Sequence, residues 1–241
     1  MATLDGKVVL FGGYGTSYQN DTWTFDGVDW TQLSSTNSPP ARECAAMATR
    51  NGVVVLFGGR GASASFDDTW TFDGTNWTEL SPATSPTARE YAAVATLGGN
   101  VVLFGGSDDL MNYVFDDTWT FDGTNWAQLS ILGPSTRDFS SAAVEGSDLV
   151  LFGGESNEGV DGDTWTFDGT NWAQAFPTFS PTPREGFTLA TLDGELVLFG
   201  GASDNVSVLD DTWTFDGTVW AQLDLVTSPP GRVRASVAVL P

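Results

Sequence analysis

Apolar residues in this chain come in short blocks rather than long stretches. VVLF, VVVLF and LVLF are nearly all apolar, as expected for strands buried on both faces. Further along each unit, TWTF alternates threonine with an aromatic, the period-two pattern of a strand with two unlike faces. Asp-Gly follows at once, a strong turn signal, and the chain returns through WTQL, WTEL or WAQL. A run of small residues (CAAMAT, YAAVAT, FSSAAV, GFTLAT, RASVAV) supplies one more strand per unit. No segment carries a convincing helical period.

These elements recur at a fixed step. LFGG stands at 10–13, 56–59, 103–106, 151–154 and 198–201, and DTWTFDG at 21–27, 68–74, 117–123, 163–169 and 211–217. Each unit therefore reads as four strands. Strand A is the small-residue run, B the LFGG strand, C the TWTF strand and D the strand that returns through tryptophan. A period of 46–48 residues with four strands per unit is the signature of propeller blades. Small residues suit an innermost strand A, where blades converge. The expected fold is all-β, a five-bladed β-propeller of four-stranded antiparallel blades, forming one domain over 1–241 with repeats starting near 8, 54, 101, 149 and 196. The segment 232–241 aligns with strand A, and it is expected to complete the first blade and close the ring, which removes exposed edges. The alternative is a partial propeller completed by another chain through strand exchange.

The order of LFGG, a following aromatic segment and a spaced tryptophan resembles the kelch repeat, in the cadence of bacterial kelch arrays. The resemblance covers essentially the whole chain. It implies a propeller that binds partners on the loop face. Two features depart from the family pattern: kelch propellers usually have six or seven blades, and no histidine follows the strand A arginine here. Copper-radical oxidases on related propellers need histidine ligands, so that chemistry does not carry over.

Segment lengths locate the candidate site. The distance from the Asp of DTW to the strand D tryptophan is constant, whereas the B–C loop varies: YGTSYQN, RGASASFD, SDDLMNYVFD, ESNEGVDG and ASDNVSVLD. In an up-and-down blade these loops share a face with the D–A connections. Binding residues concentrate on loops held by a rigid scaffold. The candidates on this face are a ring of arginines entering strand A (Arg42, Arg89, Arg137, Arg184, Arg232) and the loop residues Tyr14, Tyr18, Arg60, Phe66, Asp108, Asp109, Met111, Tyr113 and Glu155. The arginines could take an anionic ligand; equally, each could pair with a neighbouring acid such as Glu43, Glu90, Asp138 or Glu185. The ten tryptophans hold an invariant register, which reads as packing between blades rather than as a sugar platform.

Charge and composition narrow the partners. With 31 Asp and Glu against 9 Lys and Arg, the net charge is −22, which disfavours nucleic acid and anionic membranes. There is no histidine, so His-dependent triads are excluded. The single cysteine, Cys44, aligns with Tyr91, Phe139, Gly186 and Arg234, a variety that reads as packing filler. Acidic loop residues including Asp108, Asp116, Asp161 and Asp163 do not match an EF-hand spacing, so no metal and no cofactor is expected. The leading expectation is a monomeric binding module for a protein, peptide or glycan. The alternatives are a histidine-free carbohydrate-active hydrolase, lyase or epimerase, and a structural or engineered propeller without a selected ligand. No signal peptide or membrane span is visible, and the compartment stays open.

Overall fold

The computed structural model describes residues 1–108, 111–204 and 207–239. Five four-stranded antiparallel sheets make a five-bladed β-propeller, each sheet in the order A-B-C-D. Blade 1 comprises Ala2–Leu4, Lys7–Tyr14, Tyr18–Phe25 and Trp30–Leu33. Blade 2 comprises Ala46–Arg50, Val53–Phe57, Thr69–Phe72 and Trp77–Leu80. Blade 3 comprises Ala93–Leu97, Asn100–Phe104, Thr118–Phe121 and Trp126–Leu129. Blade 4 comprises Ser141–Glu145, Asp148–Ser156, Gly159–Phe167 and Trp172–Ala175, and blade 5 comprises Thr188–Leu192, Glu195–Phe199, Thr212–Phe215 and Trp220–Gln222. Two short hairpin ladders extend the B–C loops of blades 3 and 5. No helix among the described residues is long and apolar enough to cross a membrane.

The packing unit is the space between two blades. Strand B of blades 2 to 4 presents its two apolar faces to the two neighbouring blades. Val55 and Phe57 thus pack with Val101, Leu103 and Trp126. Four such cores join blade 1 to 2, 2 to 3, 3 to 4 and 4 to 5. Each carries one buried polar lock: the strand D indole donates to a threonine hydroxyl of the preceding blade. The pairs are Trp77 to Thr22, Trp126 to Thr69, Trp172 to Thr118 and Trp220 to Thr164, at 2.9–3.0 Å. A tryptophan buried this way keeps its N–H satisfied while contributing the largest apolar surface available.

The two aspartates of DTWTFDG do separate work. The second accepts two backbone N–H groups of the turn that follows, as Asp73 does from Thr75 and Asn76 at 2.8 Å. All five copies repeat this arrangement, with Asp26, Asp122, Asp168 and Asp216 in the equivalent place. These hydrogen bonds stabilise the carboxylate and lower its pKa. The first aspartate accepts the indole N–H two residues on, and in blades 2 to 5 it also binds an arginine, described below.

The chain ends are used differently from the expectation. The innermost strand of blade 1 is Ala2–Leu4, paired with Lys7–Val9 across an Asp5-Gly6 turn. Both turn residues have positive φ, 49° and 75°, as a tight hairpin requires. A hairpin closed by two residues forms at far lower loop-closure cost than pairing with a strand more than two hundred residues away, so the local strand holds the place. No described residue of 232–239 is in a strand. The C-terminal segment instead bridges blades 5 and 1. The Arg234 N–H donates to the Gly186 carbonyl, and the Val239 carbonyl accepts the Thr3 hydroxyl at 2.8 Å.

Candidate functional site

The repeated arginines sit where the D–A connection enters strand A, beside the B–C loop. Backbone bridges join Glu43 to Arg60, Glu90 to Ser107, Asp138 to Glu155 and Glu185 to Ala202, so the two connections do share one face. The Gly-Gly of each strand B makes this junction. The second glycine donates its N–H to the next arginine's carbonyl, Gly59 to Arg89 for example, at 2.8–2.9 Å in all five repeats. The first glycine has φ near +60° and lies so close to that carbonyl that a Cβ on Gly58 would meet it at 2.5 Å. No other residue fits there.

Arg42, Arg89, Arg137 and Arg184 are buried, at 0–1% exposure. Each forms a two-pronged pair with the first aspartate of its own blade's motif: Asp68, Asp117, Asp163 and Asp211, with Nη1–Oδ1 at 2.5–2.6 Å. Each Nη1 also donates to the first glycine of LFGG. Arg42 and Arg89 stack on Phe66 and Phe115 at 3.9 Å. Burial raises the pKa of Asp163 and Asp211, but the arginine and indole donors more than reverse it and hold both below the usual carboxylate range. These four arginines, with Phe66, are therefore spent on the fold. Their partner is the motif aspartate, not the adjacent acid. Arg232 alone is exposed and has no carboxylate partner among the described residues; its nearest ring is Phe199, at 6.0 Å.

The axial opening lies two residues past each arginine. Cys44, Tyr91, Phe139, Gly186 and Arg234 all have left-handed backbone, with φ between 51° and 58°. Backbone bonds run from one to the next, Tyr91 N–H to Cys44, Gly186 N–H to Phe139 and Arg234 N–H to Gly186. Four of the five carry a side chain in a conformation that L-residues rarely adopt, which costs free energy at each. The five residues line a cavity of about 580 Å³ together with Glu43, Tyr14 and small strand A residues. Tyr91 and Phe139 stack at 3.9 Å, and the Arg234 guanidinium lies 4.4 Å from the Phe139 ring. Burial pushes the Cys44 thiol up to about 12, and raises the Tyr91 phenol too, so both are neutral at physiological pH.

In the sequence this position reads as packing filler rather than a nucleophile; the structure places it on the wall of the axial cavity, with the Cys44 thiol neutral. The available signal was variability itself: one freely changing residue beside an invariant arginine.

The remaining loop candidates divide by position. Tyr14 stacks edge-on to Tyr18 at 5.0 Å and reaches the cavity rim. Met111 and Tyr113 are exposed at the tip of the blade 3 loop, whereas Asp108 is buried at its base. Arg60 lies 3.6 Å from Glu90. Glu155 hydrogen-bonds Glu185, whose pKa rises to about 7 through burial, this bond and the nearby charges of Glu155 and Asp138. Asp109 lies outside the described residues. Among the described residues, no three His, Cys, Asp or Glu side chains cluster as a metal site requires.

The fold and the arginine–glycine junctions define a repeat propeller with a variable axial mouth. The family model for the KLHDC2/KLHL20/DRC7 Kelch-repeats domain matches residues 1–133 and again 124–241. The chain belongs to this Kelch-repeat family, whose propellers generally serve as protein-interaction modules. No curated protein matches the chain.

Proposed function

We propose that the chain binds a protein or peptide segment on the B–C loop face, with an acidic group of the ligand against Arg234 and an apolar group against Tyr91 and Phe139. The observation that carries this reading is Arg234. It is an exposed cation at an axial cavity, stacked on two aromatics, in a chain of net charge −22. No described carboxylate lies within ion-pair distance of it. A cation held on aromatic faces is pre-oriented for an anion, and partial burial strengthens the attraction. Tyr14 at the rim, and Met111 and Tyr113 on the longest loop, add exposed surface of the kind that anchors protein partners. Glu43 is the carboxylate among the cavity-lining residues, whereas Glu90 and Glu185, each one residue before a cavity-lining position, are buried. That supports binding over hydrolysis by a pair of open carboxylates.

Selection of displayed random peptides on the immobilised chain tests this. Enriched sequences are expected to combine an acidic and an apolar residue. Their binding is expected to fall at least tenfold in Arg234→Glu and in Tyr91→Ala, and to be unchanged by Thr75→Ala on the opposite face. Retention of binding by Arg234→Glu would overturn the assignment. So would enrichment on a glycan array with none among peptides.

A further inference from the structure

The inner rank of this propeller has six members, although it has five blades. Threonine hydroxyls of strand A donate to the carbonyl at the matching position of the preceding inner segment: Thr96 to Thr49, Thr49 to Thr3, and Thr3 to Val239. On the other side, Arg234 follows Gly186 as Gly186 follows Phe139. The segment 234–239 thus occupies a place of its own between blade 5 and blade 1. Among the described residues no strand pairs with it, and apart from that of Arg234 its backbone N–H groups donate to no described acceptor, leaving a bare edge.

The blade faces on either side of this place are unfinished in a matching way. Trp30 is 46% exposed and its indole N–H has no acceptor among the described residues, whereas its counterparts in blades 2 to 5 are buried and bonded. The Thr212 hydroxyl receives no indole among the described residues, although its equivalents in blades 1 to 4 do. Phe199 has no strand D tryptophan, although Phe11, Phe57, Phe104 and Phe152 each have one. Arg232 has no aspartate partner among the described residues. Among the described residues, no apolar core joins blade 5 to blade 1.

We infer that the gap between blades 5 and 1 is a receptor for a three-stranded kelch-type unit, strands B, C and D, which pairs with 234–239 to make a sixth blade. Every unfinished group has its complement in such a unit. The first Asp of DTWTFDG takes Arg232, and the Thr after it takes the Trp30 indole. The strand D Trp donates to Thr212 and packs on Phe199. The Phe of LFGG packs on Trp30. The argument is continuity with an interface that the molecule builds four times, together with Arg232, the one repeated arginine without an aspartate among the described residues. A second copy of the chain does not fit, because its blades already carry their own inner strands.

Residue 241 aligns with Asn51, so residues 52–80 appended after Pro241 supply the unit in register. Hydrogen exchange at 234–239 is expected to slow, and the melting temperature to rise. Arg232→Ala is expected to abolish much of that gain in the extended chain while leaving the original chain unaffected. Unchanged exchange at 234–239 in the extended chain would overturn the proposal. So would a dimer of the original chain, seen by sedimentation equilibrium, that Trp30→Ala dissolves. Neither readout depends on Arg234 or on a bound peptide.

Discussion

The same substitution in the same motif should have unequal costs in blade 3 and blade 1, because only one of the two aspartates holds an arginine. Asp117→Asn keeps shape and retains an oxygen for the Trp119 indole, but removes the charge facing Arg89. That guanidinium is 1% exposed. Its other acceptors are neutral: the carbonyls of Thr87 and Gly105 at 3.0 Å and the Thr87 hydroxyl at 3.1 Å. Breaking one partner of a buried pair leaves an uncompensated charge and costs about 3–5 kcal/mol. At roughly 2–4 °C per kcal/mol for a chain of this size, the melting temperature should fall by roughly 6–20 °C. Asp21→Asn leaves no stranded cation, because among the described residues Asp21 accepts only the Trp23 indole, at 2.6 Å. Its cost should stay within about 0.5 kcal/mol, as for an ordinary surface change. Thermal melts, with urea unfolding to compare slopes, would measure both. If the two variants melt within about 2 °C of each other, the arginine–aspartate pairs are not what holds the D–A connection to the sheet.

Three further outcomes follow from the same geometry. Trp126→Phe loses a buried indole bond to Thr69 and should cost at least about 1 kcal/mol, whereas Trp30→Phe should be nearly silent; equal losses would contradict the open gap beside blade 1. Glu185 is easier to protonate in the folded state, with its pKa raised to about 7, so its contribution is full below the unfolded carboxyl value near 4.5 and is lost as pH rises through about 7. Glu185→Gln, which imitates the protonated form, should therefore lose less stability than the parent between pH 5 and pH 8; parallel melting curves would refute this. Cys44, with its thiol raised to about 12, should alkylate roughly a thousandfold more slowly at pH 8 than after unfolding in urea, and a native rate near the unfolded one would show that the thiol is not desolvated.

Strand pattern and blade number were legible because they rest on local rules. LFGG, TWTF and the Asp-Gly turn each specify their conformation within a few residues, and five copies at one step leave little freedom. The arginine partners were not legible. Asp68 stands 26 residues from Arg42, and only the blade's A-to-C geometry brings them together, whereas Glu43 is adjacent but turned toward the axis. The axial cavity was missed for a related reason. Cys44, Tyr91, Phe139 and Arg234 share no chemistry, so identity gives no motif; what they share is a backbone conformation, which no side-chain pattern announces.

The use of the chain ends turns on a competition that the alignment alone states but does not decide. Residues 1–5 and 237–241 both align with the end of strand A. Had the C-terminal copy taken the place in blade 1, Arg232 would stand over Asp21 as Arg89 stands over Asp117, and Trp30 would find Thr212. Among the described residues none of these contacts forms; Asp21 holds only the Trp23 indole, and Arg232 lies 6.0 Å from the Phe199 ring with no aspartate. The Asp5-Gly6 hairpin explains why: it lets Ala2–Leu4 claim strand B of blade 1 at the cost of a two-residue loop. The C-terminal copy is then displaced by one place around the axis. There it keeps its contacts to Gly186 and Gly201 of blade 5 but faces no strand of its own. A short turn at one end of the chain thereby sets whether the ring is complete with five blades or has a place for a sixth.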